Sequence, residues 1–257
     1  MNTDLESRPA PTALVVSTPR RSHRRRWAAA AALPVAAAGA GLWWFVLRGD
    51  PPPPANLDQA LAGVQAPAAA VTGTPGVEGT WAVDRTITNA QGTGSYTGFR
   101  VNEVLTGIGT NTAVGRSPNV EGTLTVKGST LTAARINASL TALTTNDSRR
   151  DGAVQRALDT SRFPTATFVL TAPVDVGSVP AEGQRVTAAA TGDLTVHGVT
   201  HQVTIDLQAQ LQNGVLVVVG STDIAFSDYG VTAPTAPVVA SVDDHGTVEI
   251  QLYFVKQ

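Results

Sequence analysis

Four groups of residues in this 257-residue chain have types and spacings that suit chemistry. His197 and His201 stand four apart in LTVHGVTHQVTIDL, a separation that on a helix would aim both imidazoles at one metal ion. Arg149, Arg150 and Asp151 form the charged start of a short helix, where arginine forks and free helix amides would suit an anion. Asp243, Asp244 and His245 form a third cluster, and Ser221 with Asp223 and a histidine could be drawn as a hydrolytic triad. No nucleophile elbow accompanies that serine, and DDHG lies just before a strand pattern and reads as a turn. For the histidines a hairpin is the better reading. With Gly198 and Val199 as its central residues, His197 and His201 fall on opposite faces, so neither a metal site nor a catalytic residue is expected.

The elements that must position these residues are strands. From Gly79 onward polar and apolar residues alternate with period two, as in Leu131 to Leu143, Gly192 to Ile205, Leu216 to Phe226 and Val248 to Phe254. One stretch interrupts the pattern: Asp147 to Leu170 begins with a short helix, capped by Asp147 or Ser148, whose Val154 and Leu158 share a face. Eight or nine strands with one apolar face, several longer than ten residues, predict an all-β, extended antiparallel barrel of about eight strands with one short helix.

Volume is the informative property of that barrel. Its apolar parity carries many small residues: Gly122, Ala134, Ala138, Ala142, Ala166, Ala188, Ala190, Gly192 and Gly220. An eight-stranded barrel is just wide enough to be filled by large side chains, so small ones leave room. The expected lining is Phe99, Val101, Ile136, Ala138, Leu140, Phe168, Ala188, Ala190, Leu194, Ile224 and Leu252, a dry wall suited to an alkyl or isoprenoid chain. Arg149 and Arg150 are the candidates for its head group. The competing reading is a flattened barrel closed over its small residues, a structural or adhesive envelope domain with a filled core and no ligand.

The rest of the chain concerns location. Residues 1–26 are polar and end in Arg20, Arg21, Arg24, Arg25 and Arg26, a disordered basic tail. Residues 27–47 carry no charge and are long enough to cross a bilayer of roughly 30 Å. The arginines before them predict a cytoplasmic N-terminus and a single-pass signal anchor in the cell membrane, with a cleaved signal as the alternative. Residues 48–78, opened by Pro51 to Pro54, read as a stalk from which residues 79–257 could be cut as a folded domain. The first 47 residues hold six arginines against Asp4 and Glu6, net +4, leaving twelve basic and eighteen acidic residues, net −6, in the remainder. Basic charge confined to a tail gives no support for a nucleic-acid partner. With no cysteine, disulfides and thiolate chemistry are excluded.

Several of these pieces recur together in a known family. An opening Trp81, Val83 and Asp84, then GFRVNEVL (98–105), VEGTLTV (120–126), RRD followed by RFPTATF (149–168), GDLTVHGVTHQVT (192–204) and DYGV (228–231) make residues 79–257 resemble the YceI-like proteins. The resemblance implies a lipocalin-like barrel, usually exported, whose lumen holds a polyisoprenoid or similar lipid. It supplies no accepted active site and no cofactor, and it leaves homodimerisation open. Many relatives are soluble with a cleaved signal, whereas this sequence predicts a membrane-tethered, extracytoplasmic domain.

Overall fold

The structure, a computed structural model, describes residues 51–65 and 76–257. The basic tail, the apolar segment 27–47 and the remainder of the expected stalk lie outside the described residues. Among the described residues no helix is long and apolar enough to cross a membrane.

Thirteen strands form one antiparallel sheet. In chain order they are β1 (Gly79–Val83), β2 (Tyr96–Leu105), β3 (Gly109–Ser117), β4 (Val120–Lys127), β5 (Thr130–Ser139), β6 (Thr144–Thr145) and β7 (Thr165–Leu170). They continue with β8 (Val174–Asp175), β9 (Arg185–Val196), β10 (Val199–Gln212), β11 (Val215–Ala225), β12 (Val239–Val242) and β13 (His245–Lys256). Eight of them, in the order β1, β4, β5, β7, β9, β10, β11 and β13, close into a barrel because β13 pairs back onto β1. The closing pair is short, Trp81 to Val83 against Lys256 to Phe254. Further along, β13 leaves β1 and pairs β2 from Tyr96↔Gln251 to Arg100↔Thr247, so one strand serves two partners. The expected barrel is present, built from longer strands than the average.

Turn chemistry fixes the register. Val199 pairs Val196, so the central residues of the β9–β10 hairpin are His197 and Gly198, not Gly198 and Val199 as expected. Both have positive φ, 53° and 76°, the requirement of a type I′ turn, and Asn213–Gly214 repeats it between β10 and β11. His201 still shares the inward parity of Leu194, so the faces survive the shift. The alternation at Leu131 to Leu143 is also shorter than it reads: β5 stops at Ser139, and Leu140–Ala142 turn into a 3₁₀ helix whose first amide bonds Pro164.

Two α-helices among the described residues accompany the barrel. α1 (Leu57–Leu61) lies in the stretch expected to be a flexible stalk, capped by Asn56 Oδ1, which accepts from the Gln59 amide at 3.2 Å. It is docked. Leu57, Ala60, Leu61 and Val64 pack with Ile87 on the outward-facing Val215, Val217, Val219 and Tyr253, forming a second core outside the barrel wall. Before it the proline run is pinned: Arg100 donates to Pro52 O (2.8 Å), Arg116 to Pro53 O (2.7 Å), and the Ala55 amide donates to Glu249 (3.2 Å). α2 (Asp151–Ala157) follows Arg150, which makes no side-chain cap; Asp147 and Ser148 lie too early for that role. Asp151 instead accepts from the Thr145 amide and hydroxyl, tying the helix to β6.

Candidate functional site

The inward parity of the closed sheet encloses a cavity of ≈ 440 Å³. It runs the length of the barrel, from Val174 and Gln184 at one end to Val154 and Val231 at the other. That size is within the range of small-molecule sites. Along it the wall is made by the residues whose parity faces in. β2 contributes Phe99 and Val101, β5 Ile136 and Ala138, and the turn after β5 Leu140. β7 contributes Phe168, β9 Ala188, Ala190 and Leu194, β11 Ile224 and β13 Leu252. Every residue expected in the lining therefore stands on the cavity wall, and Val154 of α2 with Leu158, the residue that ends it, closes over one end.

The room does not come from all the small residues alike. Ala134, Ala138, Ala166, Ala188 and Ala190 line the space directly. Gly122, Gly192 and Gly220 do not, because the side chains of Ile136, Phe168 and Leu207 lie across them. Gly115, on β3 opposite Phe99, does the same for that ring: a Cβ there would stand 2.7 Å from Phe99 Cζ. These glycines let large side chains lie flat along the wall instead of standing into the lumen. Ala142 belongs to the 3₁₀ turn rather than to the wall.

Charge is confined to the end covered by α2. Glu103, Arg149 and Arg150 are the charged residues of the wall. Arg150 pairs with Glu103 at 2.5 Å, and Glu103 also accepts from Asn111 Nδ2 at 2.7 Å. Arg149 is held by Asp147 at 2.6 Å, and that hydrogen bond keeps the Asp147 carboxyl below its ordinary range. Glu103 and Tyr229 were not among the expected site residues. The signal for Glu103 was present, since it shares the inward parity of Phe99 and Val101 and only a paired carboxylate survives there. Tyr229 gave none, because it lies in a 3₁₀ turn (Phe226–Tyr229) where parity does not apply.

The remaining candidates are structural. His197 Nδ1 lies 3.0 Å from Tyr229 O and its ring meets Phe163 edge-on, while His201 meets the Tyr229 ring. Among the described residues no cluster of side chains has the composition of a metal site. His245 bonds its neighbour Asp244 in an exposed turn, which lowers that carboxyl's pKa and raises the imidazole's. Asp223 accepts from Thr247 at 2.6 Å, and no hydrogen bond joins it to Ser221 or His245 among the described residues.

Comparison with known proteins agrees with this geometry. Residues 81–254 match the YceI-like domain. A UPF0312 protein of Shewanella sp. strain MR-4 is 30% identical over 146 residues, 53% of this chain and 73% of the relative, and the corresponding protein of strain ANA-3 aligns equally. Among solved structures, a polyisoprenoid binding domain from Saccharophagus degradans superimposes with a TM-score of 0.52 at 17% identity. That superposition covers 69% of this chain and 98% of the domain, and at this identity it speaks for the fold alone.

Proposed function

This chain belongs to the YceI-like family, and from that premise we propose that it is a binding protein whose lumen holds a polyisoprenoid or another amphiphile with a long apolar chain. The observation that carries the reading is the cavity of ≈ 440 Å³ running the barrel's length, mostly apolar and charged only at the end under α2. A filled structural core would not keep such a space, because protein interiors are close-packed. The polyisoprenoid-binding character named for the Saccharophagus domain supports the choice of chain. Binding rather than catalysis is the role we infer, supported by the Glu103 carboxylate, which is committed to Arg150 and Asn111 rather than placed as a base beside a nucleophile.

The proposal extends to location. The arginines before residues 27–47 support a signal anchor with the barrel on the extracytoplasmic side. Two readouts test the whole. A solvent extract of the purified barrel, examined by mass spectrometry, should contain a prenyl or other long apolar chain in near-stoichiometric amount; an extract free of any such chain would remove the binding role. A reporter active only in the cytoplasm, fused after Gln257, should stay silent in cells; activity there would reverse the orientation.

A further inference from the structure

At the end of the barrel away from α2, part of the wall is not closed by a sheet ladder. β7 stops at Leu170, which pairs Gly192, while β9 begins further toward that end, at Arg185. β8 takes the vacant place but pairs only β5, through Thr130↔Asp175 and Leu131↔Val174. Among the described residues, positions 185–190 of β9 have a ladder partner in β10 alone, so a seam separates β8 from β9. Both of its banks belong to the cavity wall: Val174 and Val176 on one, Val186 and Ala188 on the other. From β8 the chain continues as a strap, residues 176–184, that reaches the turn between β10 and β11 before it enters β9. There the Gly183 amide donates to Leu211 O at 2.8 Å and Glu182 accepts from the Asn213 amide at 2.7 Å. Gly183 has φ 79°, and a Cβ on it would meet nothing within 4 Å, so the glycine serves a backbone turn rather than close packing. No residue of 171–184 is buried, whereas the segments around α2 are anchored by buried Leu140, Leu143, Thr160 and Tyr229. A segment with so few buried contacts opens at a small fraction of the global unfolding free energy.

Resting on the reading of the lumen as a site for a long apolar chain, we propose that residues 172–182 are its gate, and that the ligand passes sideways through the gap they leave between β5 and β9. The segment swings out by turning at Gly183, while Thr171, whose amide donates to Thr191 O at 3.1 Å, holds its other end to β9. Asp175 is the catch. Its carboxylate accepts from Ser129 Oγ at 2.8 Å and from the Gly177 amide at 2.9 Å, fastening β8 and the start of the strap to the turn between β4 and β5. The end under α2 stays shut throughout.

The test loosens each end in turn and reads exchange. The full chain is loaded with deuterated farnesol and mixed with an excess of ordinary farnesol; native mass spectrometry follows the replacement of one by the other, and a titration gives the affinity. Asp175→Ala should exchange at least about fivefold faster, as the loss of one net hydrogen bond across the gate allows, with the affinity unchanged because uptake quickens equally. Asp151→Ala removes the two hydrogen bonds that tie α2 to Thr145 and should leave the exchange rate as it was. Ser129→Ala, which spares the bond to Gly177, should quicken exchange less than Asp175→Ala, and it decides the matter if that variant does not fold. Unchanged exchange in both gate variants would overturn the gate, as would an Asp151→Ala variant that exchanges as fast as they do. Faster exchange with affinity weakened in proportion would also overturn it, since the segment would then be holding the ligand rather than admitting it. Each of those results leaves the lumen reading intact. A wild-type chain that retains no farnesol would instead remove the lumen reading, and the gate with it.

Discussion

At the scale of single residues, the bore of the lumen depends on where large rings are allowed to rest. Phe99 lies over Gly115, whose added Cβ would meet only side chains, the Phe99 ring and Leu143, and no backbone atom closer than these. Gly115→Ala should therefore turn the ring into the cavity without displacing the sheet. Lipid recovered from the purified variant should fall severalfold, while stability drops by about 1 to 3 kcal/mol, the usual range for overpacking. Urea unfolding beside lipid extraction measures both, and unchanged lipid content would mean the ring does not bound the bore. Parity made Phe99 legible as a lining residue in the sequence. It could not reveal the glycine beneath it, because that relation joins neighbouring strands and depends on register.

At the scale of elements, residues 51–65 of the stretch expected to be a stalk are part of the fold. The sequence contained the sign of it: VLVVV at 215–219 is apolar at every position, the pattern of a strand covered on both faces, and only its inward parity was used. The outer face needed a cover, and α1 supplies it with Leu57 and Leu61, joined by Val64 just after the helix. Tyr253 fastens the arrangement, donating its hydroxyl to Ala60 O at 3.0 Å. Burial of each such aliphatic side chain is worth about 1.5 to 3 kcal/mol before the entropy of ordering the segment is subtracted. A protein begun at residue 51 should accordingly be more stable than one begun at residue 79, by at least about 3 kcal/mol in urea unfolding. The shorter protein should also self-associate, since Val215, Val217 and Val219 would meet water. Equal midpoints for the two would show that α1 contributes nothing. The same pair of measurements tests whether residues 79–257 suffice as a folded domain, since the outer core adds Leu57, Ala60, Leu61 and Val64 to what they bury alone.

At the scale of the whole molecule, all three tyrosines resist ionisation. Burial pushes Tyr96 up to about 12, with the Glu249 carboxylate adding to it and Arg116 and Arg100 opposing it. Burial likewise raises Tyr253 and Tyr229, helped by Tyr96 and Asp228 respectively. An unfolded chain releases these protons near pH 10, whereas the folded one keeps them. Their contribution to stability is therefore complete below pH 10 and is lost as pH rises through the folded values, at up to about 1.4 kcal/mol per pH unit for each tyrosine. Phenolate absorbance should stay flat past pH 10 and then rise together with loss of the β-sheet circular dichroism signal. A smooth titration near pH 10 with the sheet intact would show the hydroxyls to be accessible. Architecture was legible because period two survives in most of the long strands; the polar contacts under α2 were not, since Glu103, Asn111, Arg150 and Tyr229 come from four separate places in the chain. The shared strand β13 carries one more implication. It pairs with β1, β2 and β11 and is the last strand in chain order, so nothing made earlier can complete the ring. During synthesis the nascent barrel stays an open, curled sheet with its lumen face wet until β13 emerges. Such late, long-range closure makes for slow folding, and it leaves the sheet edges of β1 and β11 open to pairing with other chains until the last strand arrives.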